Sequence, residues 1–497
     1  MTILVKFFYS HFKLLGIFPL LAIFAATPLI AAPGEPFESI VTQQSKLNLN
    51  SAAFGASTTS KPKSKTTRTV QKKSPNKKKP KAKVTKKPKK RAKAAAPLPW
   101  PANIEAMAGS GAVLVVDFHA NPNEPKELIS INPDKNYVPA SILKLVTSAA
   151  ALVALGPDYR FKTSFYMDRN QNLWVKGYGD PFLVAEEMCL IADTLSYKGL
   201  RNVNNIYIDS SFFEPGAVVD GTTFTSNPYD AFNSGFGVNF NTVSFLIDTS
   251  GDIVELNQCS PLTPITMNLA KKSYPKKKKR KSSSEKYLNI SESPKMAEEN
   301  GGQLLRELLI RRGVIVNGDI VTGETLPQGA SLLYEHHSSK NLEEMIIELL
   351  KYSNNYVTNQ IFLAMGAEVY GAPGNFDKGR QVVYDFLEQY GLPRLQLVEG
   401  SGLSRNNSVT AHQMSEVLRV MEPVRTLIKS GENGTVYYKT GTMTDIQTLA
   451  GYIERPGRPN EPLAFVILLN GKYERGTREK ILLALKSHLV DGTDKTS

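Results

Sequence analysis

The hydrophobic pattern predicts strands at both ends of the region that begins near Ile104. Ala112–Asp117 (AVLVVD) and Glu127–Asn132 (ELISIN) are rich in Val, Ile and Leu, and a polar segment separates them, as in a β-hairpin. Near the C-terminus, three apolar runs with short polar loops between them predict three more strands. These runs lie at 434–441, 449–453 and 463–469.

Most helices are predicted between the two groups of strands, where apolar residues recur every three or four positions, and one more closes the chain after the last strand. Apolar and small residues run from Ser141 to Leu155 without a helix breaker, and Gly156-Pro157 ends the run, which predicts a buried helix. Five other stretches predict helices, and we expect the second to lead into a helix that continues through Ser353 to Gly366. These stretches are 303–312, 341–351, 377–390, 411–421 and 477–489.

Together these elements favour an α/β (α+β) fold, in which an antiparallel sheet built from both ends of the chain lies beside a helical cluster. Residues 161–300 have a mostly strand-like, irregular pattern and would form a mostly β inserted domain. We therefore expect one domain made of 98–160 and 301–497, which this insertion interrupts.

The formal net charge of +14 is concentrated in two segments. Residues 61–93 carry 17 Lys and Arg, residues 271–281 carry 8, and neither contains an acid, so the rest of the chain has a net charge of −11. Because the body is acidic, no nucleic acid is expected as a partner. Residues 33–97 are expected to form a disordered tether. Its charge suits anionic envelope polymers or lipid headgroups, although a solvated spacer explains the same composition.

The N-terminal segment, residues 1–32, predicts export. Lys6 and Lys13 precede an apolar run, as in a signal peptide, and an uncleaved membrane anchor is the alternative. Both interpretations place the rest of the chain in the periplasm or at the outer face of the cytoplasmic membrane. In that compartment Cys189 and Cys259 can form a disulfide, and two buried free thiols are the other possibility.

Three short motifs indicate serine chemistry: SxxK at Ser141–Lys144, SxN at Ser353–Asn355 and KTG at Lys439–Gly441. The SxxK and SxN patterns also occur elsewhere in the chain, but only the copies at Ser141 and Ser353 open or enter predicted apolar helices. KTG occurs once, at the end of a strand. The same order of motifs is described for penicillin-binding proteins and class A β-lactamases.

The spacing of Ser141 and Lys144 suits a nucleophile and its base. They lie one helical turn apart, so their side chains project from the same face. A serine hydroxyl is a weak nucleophile without a nearby base, and burial favours the neutral amine that a lysine base requires. The start of a helix also favours a developing oxyanion. A capping serine beside a lysine with a solvated head group is the purely structural alternative.

Longer stretches around these motifs resemble the D-alanyl-D-alanine carboxypeptidases/endopeptidases of the penicillin-binding-protein-4 type. The resemblance extends from about Gly111 to the C-terminus and is strongest in a few stretches. These are YVPASILKLVTSAAALVALGPDYRF (137–161), KGYGDP (176–181), IYIDSSFF (206–213), SNNYVTNQIF (353–362), EGSGLSRNN (399–407) and YKTGT with LAGYI (438–453). It implies a penicillin-recognising serine transpeptidase-type domain with an insertion after the SxxK helix. Glu399 stands where the family commonly has Asp, which leaves its structural role open.

The resemblance also implies roles for the first two motifs. Ser141 would be the acylated nucleophile and Lys144 its base. Ser353 would relay a proton, and Asn355 would hold the substrate amide. The implied substrates are peptidoglycan stem peptides that end in D-alanyl-D-alanine, with their cross-links as a second target, and β-lactams would bind covalently.

The third motif is implied to bind substrate. Lys439 and Thr440 would hold the terminal carboxylate of the substrate, and Gly441 belongs to the same substrate-binding set. The backbone N–H groups of Ser141 and Thr442 would form the oxyanion hole. Neither the resemblance nor the residues call for a metal or cofactor. Two cysteines exclude a four-cysteine zinc site, and none of the six histidines has the HExxH spacing of a zinc hydrolase.

Two alternatives from other classes remain. A serine β-lactamase or esterase of the same clan would need a deacylating carboxylate, and no Glu lies in a clear ExxxN loop between SNN and KTG. A polyanion-binding envelope protein would use the Lys-rich segments, but the serine, lysine and KTG set would then have no purpose.

Overall fold

The computed structural model describes residues 100–492, except 122–123, 276–278, 291 and 432–433. The predicted leader (1–32) and the predicted tether (33–97) lie outside the described residues. Within the part that is described, no helix is both long and apolar enough to cross a membrane.

Helices and strands alternate in groups along the described chain. The helices are α1 (Ala102–Ala108), α2 (Lys144–Leu155), α3 (Ala185–Tyr197), α4 (Pro264–Ser273), α5 (Pro294–Ile310), α6 (Leu342–Tyr352), α7 (Asn355–Tyr370), α8 (Phe376–Gln389), α9 (Ala411–Met421) and α10 (Thr477–Leu489). The strands are β1 (Ala112–Asp117), β2 (Lys126–Ile131), β3 (Lys162–Met167), β4 (Leu173–Gly177), β5 (Asn202–Val203), β6 (Ile206–Asp209), β7 (Thr242–Ile247), β8 (Ile253–Val254), β9 (Ser284–Asn289), β10 (Ile315–Val316), β11 (Ile320–Thr322), β12 (Ser331–His337), β13 (Ser430–Gly431), β14 (Val436–Met443), β15 (Ile446–Arg455) and β16 (Arg458–Asn470).

A six-stranded antiparallel sheet joins the two ends of the described chain. Its strand order is β13–β14–β15–β16–β1–β2, and Ala112 of β1 lies opposite Leu468 of β16. The predicted two-ended sheet is therefore confirmed. Because β14 lies next to the edge of the sheet, it carries its KTG residues to a border where other elements can approach.

Both faces of this sheet are covered, and the side chains of its strands alternate between the two cores. In β1, Leu114 and Val116 face a helical cluster formed by α2 and α6 to α9, whereas Val113 and Val115 face α1 and α10. The first ten residues of α2 are all buried, which confirms the predicted buried helix. This helix therefore lies in the centre of the helical layer.

A second group of elements, residues 162–337, is called here the inserted unit. Its five-stranded sheet has the order β11–β6–β4–β3–β12, and α3 and α5 pack on it around buried residues such as Phe165 and Leu305. The inserted unit extends beyond the expected boundary at residue 300, because β12 pairs with β3 and α5 belongs to the same core. The strand pairing extends the unit to His337.

The inserted unit also contains a small three-stranded sheet, β8–β7–β9, which packs with α4. A disulfide joins Cys189 of α3 to Cys259 in the loop before α4, which settles the alternative left open by the sequence. The helices α3 and α4 were not expected from the irregular pattern of this region. The fold as a whole remains the predicted mixture of helices and antiparallel sheet with a mostly β insertion.

One helix prediction is wrong in detail. The chain does not continue as a helix through Ser353, whose backbone is left-handed with φ 58°. The side chain of Asn354 then accepts a hydrogen bond from the backbone N–H of Val357 at 3.1 Å and starts α7. This break creates a corner between α6 and α7, and the SxN motif lies on it.

Candidate active site

The structure brings Ser141 and Lys144 together at the start of α2. Ser141 lies in a short 3₁₀ turn, Ala140–Leu143, that leads directly into the helix, and its side chain is partly exposed. Lys144 is fully buried, and its Nζ lies 3.1 Å from the Ser141 Oγ. The predicted pair therefore has the contact that proton transfer requires.

Two further contacts surround the amine of Lys144. Its Nζ donates to the side-chain oxygen of Asn355 at 2.7 Å and to the backbone carbonyl of Ser401 at 2.5 Å. Both of these partners are oxygens that can only accept. A neutral amine has two N–H groups and one lone pair, so it can donate to both oxygens and still accept the hydroxyl proton of Ser141.

The corner between α6 and α7 contributes the SxN residues. Asn355 is the first residue of α7, and Ser353 lies just before it in the left-handed conformation. Ser353 Oγ accepts a hydrogen bond from Lys439 Nζ at 2.8 Å. The corner thus contacts Lys144 through one residue and Lys439 through the other.

The KTG residues lie on β14, which packs directly against the turn that holds Ser141. Lys439 is buried, and its Nζ also donates to the backbone carbonyl of Thr440 at 2.8 Å. A Cβ atom added at Gly441 would lie 2.9 Å from the backbone nitrogen of Ser141. Only glycine permits this close approach. Thr442 follows at the exposed end of the strand.

We call Ser141, Lys144, Ser353, Asn355 and Lys439 the central cluster. Direct hydrogen bonds join them into two groups, Ser141 and Asn355 around Lys144 and Ser353 with Lys439, although they come from three distant parts of the chain. Thr440, Gly441 and Thr442 continue along the same strand beside the cluster. All eight site residues predicted from the sequence therefore lie in one place.

The sequence did not reveal how the stretch 399–407 supports this cluster. Its Ser401 supplies the carbonyl that binds Lys144, and Gly402 lies so close to Ala140 that a Cβ atom would come within 2.0 Å of the Ala140 carbonyl oxygen. This segment holds both ends of the turn that contains Ser141. Backbone carbonyls leave no mark in a side-chain pattern, so the motif match was the only available signal.

Glu399 organises this segment from inside. It is buried, and its carboxylate accepts hydrogen bonds from Asn359, from the backbone and hydroxyl of Ser401, from the backbone of Ser404 and from Asn407, at 2.6 to 3.2 Å. A buried carboxylate needs such partners. The longer side chain in place of the family's usual Asp therefore has a clear structural role.

A further cation, Arg478 of α10, borders the cluster and was missed by the motif analysis. Its guanidinium donates to the Gly441 carbonyl at 2.5 Å, to the Thr442 hydroxyl at 2.8 Å and, at 3.4 Å, to the Thr448 carbonyl. The Gly441 carbonyl belongs to the same peptide group as the Thr442 N–H. Arg478 therefore fixes the orientation of that N–H.

Burial changes the protonation of both lysines. Burial lowers the pKa of Lys144 well below its ordinary value of 10.5; the charge of Lys439 lowers it further, and Glu399 opposes the shift. Burial lowers the pKa of Lys439 to about 8, and the nearby Arg478 adds to this effect. The arrangement favours a neutral Lys144 beside a Lys439 that is still largely protonated at neutral pH.

Among the described residues, no group of three or more His, Cys, Asp or Glu could hold a metal ion.

Comparison with known proteins identifies the family. A model of the D-Ala-D-Ala carboxypeptidase 3 (S13) family matches residues 103–426, well over half of the chain. The chain belongs to this family. It is a serine-type D-Ala-D-Ala carboxypeptidase of the penicillin-binding-protein-4 type that acts on peptidoglycan, as the resemblance predicted.

Relatives of this S13 enzyme agree in sequence and fold. The D-alanyl-D-alanine carboxypeptidase of Actinomadura sp. (strain R39) is 29% identical over 437 residues, covering 75% of this chain and 79% of that protein. DacB of Haemophilus influenzae is 23% identical over 414 residues, covering 72% and 85%. The crystal structure of penicillin-binding protein 4 (dacB) from Haemophilus influenzae matches with a TM-score of 0.64 and 20% identity, covering 79% of this chain and 99% of that chain. This last match confirms the fold.

Proposed function

We propose that Ser141 is the acylated nucleophile of this S13 enzyme and that Lys144 is its base. The observation that carries the proposal is the set of three partners around Lys144 Nζ. Two partners only accept, and the third is the Ser141 hydroxyl. The lone pair of the neutral amine is thus directed to the proton that must leave.

The proposed reaction proceeds in two halves. Ser141 Oγ forms a bond to the carbonyl carbon of the penultimate D-alanine while its proton passes to Lys144. The C–N bond then breaks, and the nitrogen of the departing D-alanine receives the proton of Lys144 through the Ser353 hydroxyl, which leaves Lys144 neutral again. Water next attacks the acyl-enzyme and gives a proton to Lys144, which passes it to Ser141 Oγ as the ester bond breaks and the serine is restored.

The remaining site residues are proposed to hold the substrate. Lys439, as a point charge at a strand end, binds the terminal carboxylate together with Thr440. Asn355 binds the substrate amide, and the backbone N–H groups of Ser141 and Thr442 bind the oxyanion. The contact of Arg478 with the peptide group of Thr442 supports this last assignment.

The arrangement of Glu399 argues against a β-lactamase. A deacylating carboxylate must activate a water, but both oxygens of this buried group are occupied by donors of its own loop and by Asn359. We propose that a β-lactam therefore acylates Ser141 and leaves slowly, as an inhibitor.

We further propose that the enzyme works in the periplasm or at the outer face of the cytoplasmic membrane, where its peptidoglycan substrate lies. The Lys-rich tether, residues 61–93 above all, would hold it to anionic envelope polymers or lipid headgroups. The support is the charge alone: 17 cations without an acid, beside a body that is acidic.

Mass spectrometry of purified muropeptides after incubation with the enzyme tests the reaction. Loss of terminal D-alanine shows carboxypeptidase activity, and separation of cross-linked dimers shows endopeptidase activity. A penicillin adduct should map to the peptide that contains Ser141. An adduct on another residue, with muropeptides unchanged, would contradict the proposal.

A further inference from the structure

A cavity of about 350 Å³ lies in the inserted unit and reaches the SxN corner. Its walls include Asn354, which stands between Ser353 and Asn355 of the central cluster. The opposite walls come from the start of α3 and from β7 and β9 of the small sheet. The cavity has the volume of a small-ligand site, and the reaction proposed above does not use it.

The lining combines ring faces with small polar groups. Phe240 and Tyr287 contribute aromatic rings, and Tyr287 is 52% exposed. Ser244, directly opposite Tyr287 in the sheet pairing, contributes a hydroxyl, and Glu186 at the start of α3 contributes a carboxylate. Among the described residues that line the cavity, none is a Lys or Arg, so its formal charge is that of Glu186.

One wall of the cavity is held in an unusual backbone conformation. Asn239, Phe240 and Asn241 have φ values of 52°, 59° and 53°, in the left-handed region, which asparagine tolerates but which is unfavourable for Phe240. Side-chain contacts hold this segment in place: Asn239 accepts from the backbone of Ala185 at 2.7 Å. Such strain persists where the surrounding structure enforces it, and it often occurs at ligand sites.

We propose that this cavity binds a sugar unit of the glycan strand to which the stem peptide is attached. The inference rests on the proposed function, because it needs a peptidoglycan substrate at Ser141. Neutral amino sugars have apolar ring faces that stack on aromatic side chains, and hydroxyl and acetamido groups that bond to serine and carboxylate oxygens. The cavity offers both kinds of partner.

The charge of the lining distinguishes a sugar from a second peptide. A stem peptide carries free carboxylates, which the carboxylate of Glu186 repels and which no cation among the described lining residues offsets. A sugar of the glycan strand is uncharged where its lactyl group is amide-bonded to the peptide. The cavity therefore favours the glycan over a neighbouring stem peptide.

The test compares two substrates that end in the same pentapeptide. One carries the N-acetylglucosaminyl-N-acetylmuramyl disaccharide, and the other carries only an N-terminal acetyl group. We expect the disaccharide to lower KM at least fivefold in the wild-type enzyme, with little change in kcat. Tyr287→Ala should remove most of this difference by raising KM for the disaccharide substrate alone, whereas Tyr287→Phe should keep it.

Tyr197→Ala is the matched control, because Tyr197 is a 92% exposed tyrosine at the far end of α3 that does not line the cavity. Ser244→Leu, which fills the cavity, provides a second variant should Tyr287→Ala fold poorly. Penicillin acylation should be unchanged in every variant and so reports on the central cluster separately.

Two results would overturn the inference. Equal KM values for both substrates in the wild-type enzyme would show that the sugars are not bound. Equal losses on both substrates in Tyr287→Ala would show that the residue acts on the peptide or on the fold. Failure of the wild-type enzyme to release D-alanine from either substrate would instead contradict the proposed function.

Discussion

The central cluster and the inserted unit are held in place in different ways. In the cluster, the side-chain nitrogens of Lys144 and Lys439 are buried and bonded to oxygens from distant segments of the chain. The inserted unit has its own sheets, and the Cys189–Cys259 disulfide ties α3 to the loop before α4. It also exposes aromatic side chains such as Tyr287.

This difference predicts separate roles for the two regions. A site that transfers protons needs fixed donor and acceptor positions, and hydrogen bonds between segments provide them. Because the inserted unit has its own core and a disulfide, substitutions on its surface can be tolerated without moving the donor and acceptor atoms of the central cluster. Substitutions of the proton-transferring pair, Ser141 and Lys144, should therefore alter chemistry on every substrate, whereas those in the inserted unit should alter stability or the use of large substrates.

The largest effect is expected from Ser141→Ala in the central cluster. Without the hydroxyl no acyl-enzyme forms, so D-alanine release should fall by ~10⁴-fold or more and the penicillin adduct should disappear. Mass spectrometry of the intact protein after penicillin treatment measures this, with circular dichroism as the check on folding. A folded alanine variant that still acquires the adduct would assign the nucleophile elsewhere.

Much of this cluster could be predicted from the sequence, because its side chains recur in three spaced motifs. The observed bounds of α9 and β1 also match the periodicity of their apolar residues. The contacts of the Ser401 carbonyl and of Arg478 could not be predicted, since one is a backbone group and the other lies on a helix without a motif.

In the inserted unit, prediction failed for α3 and for the extent of the unit. Its strands are short and its sheets mix parallel and antiparallel neighbours, so the alternating pattern of a half-exposed sheet is weak. The pairing of β12 with β3 joins residues far apart in the chain. Local periodicity carries no information about such pairings.

Removing the disulfide tests how far this covalent link stabilises the inserted unit. Replacement of Cys189 and Cys259 by Ser should lower the free energy of unfolding by about 2–4 kcal/mol, because the unfolded chain loses a covalent constraint. Thermal unfolding in the absence of reductant measures the change. At temperatures where both proteins are folded, the penicillin acylation rate should stay the same. A marked loss of acylation there would show that the two regions are coupled.

Glu399→Gln should affect stability and chemistry together, because the residue supports the cluster from within. The amide has one acceptor oxygen in place of two and would leave donors of the 399–407 segment without partners, which costs about 1–3 kcal/mol. Chemical denaturation and the penicillin acylation rate should both decline. Glu399→Asp retains the charge and is the control; if Gln and Asp behave as the wild type, the carboxylate network does not position the cluster.

Lys439→Ala should lower kcat/KM for D-alanine release at least tenfold, or by about 1.4 kcal/mol or more, because the terminal carboxylate loses its cation. A substrate amidated at its C-terminus should discriminate poorly between the wild type and the variant. Lys198→Ala, in the inserted unit, is the control and should leave both substrates unaffected. Equal losses on the acid and the amide would contradict a role in carboxylate binding.

The smallest expected effect concerns the pH dependence, and it separates the two lysines of the cluster. Activity should rise with pH as Lys144 becomes neutral, because the base must lose its proton before it can accept that of Ser141. Activity should fall again as Lys439 loses its proton, and the pKa of this lysine in the free enzyme is about 8. The profile of kcat/KM should therefore be bell-shaped, with its alkaline limb near that value.

Arg478→Gln should move this alkaline limb to higher pH. Burial is the main cause of the lowered pKa of Lys439, and Arg478 adds to it, so the pKa should rise only partly when that charge is removed. Arg478→Lys keeps the charge and should keep the limb in place, while it loses the planar contact with the Gly441 carbonyl and the Thr442 hydroxyl. If Arg478→Lys lowers kcat but leaves the alkaline limb in place, Arg478 has two separable effects. Its charge lowers the pKa of Lys439, and its planar contact orients the Thr442 peptide group. If neither variant changes the pH profile or kcat, Arg478 only holds α10 against the end of β14 and does not position the central cluster.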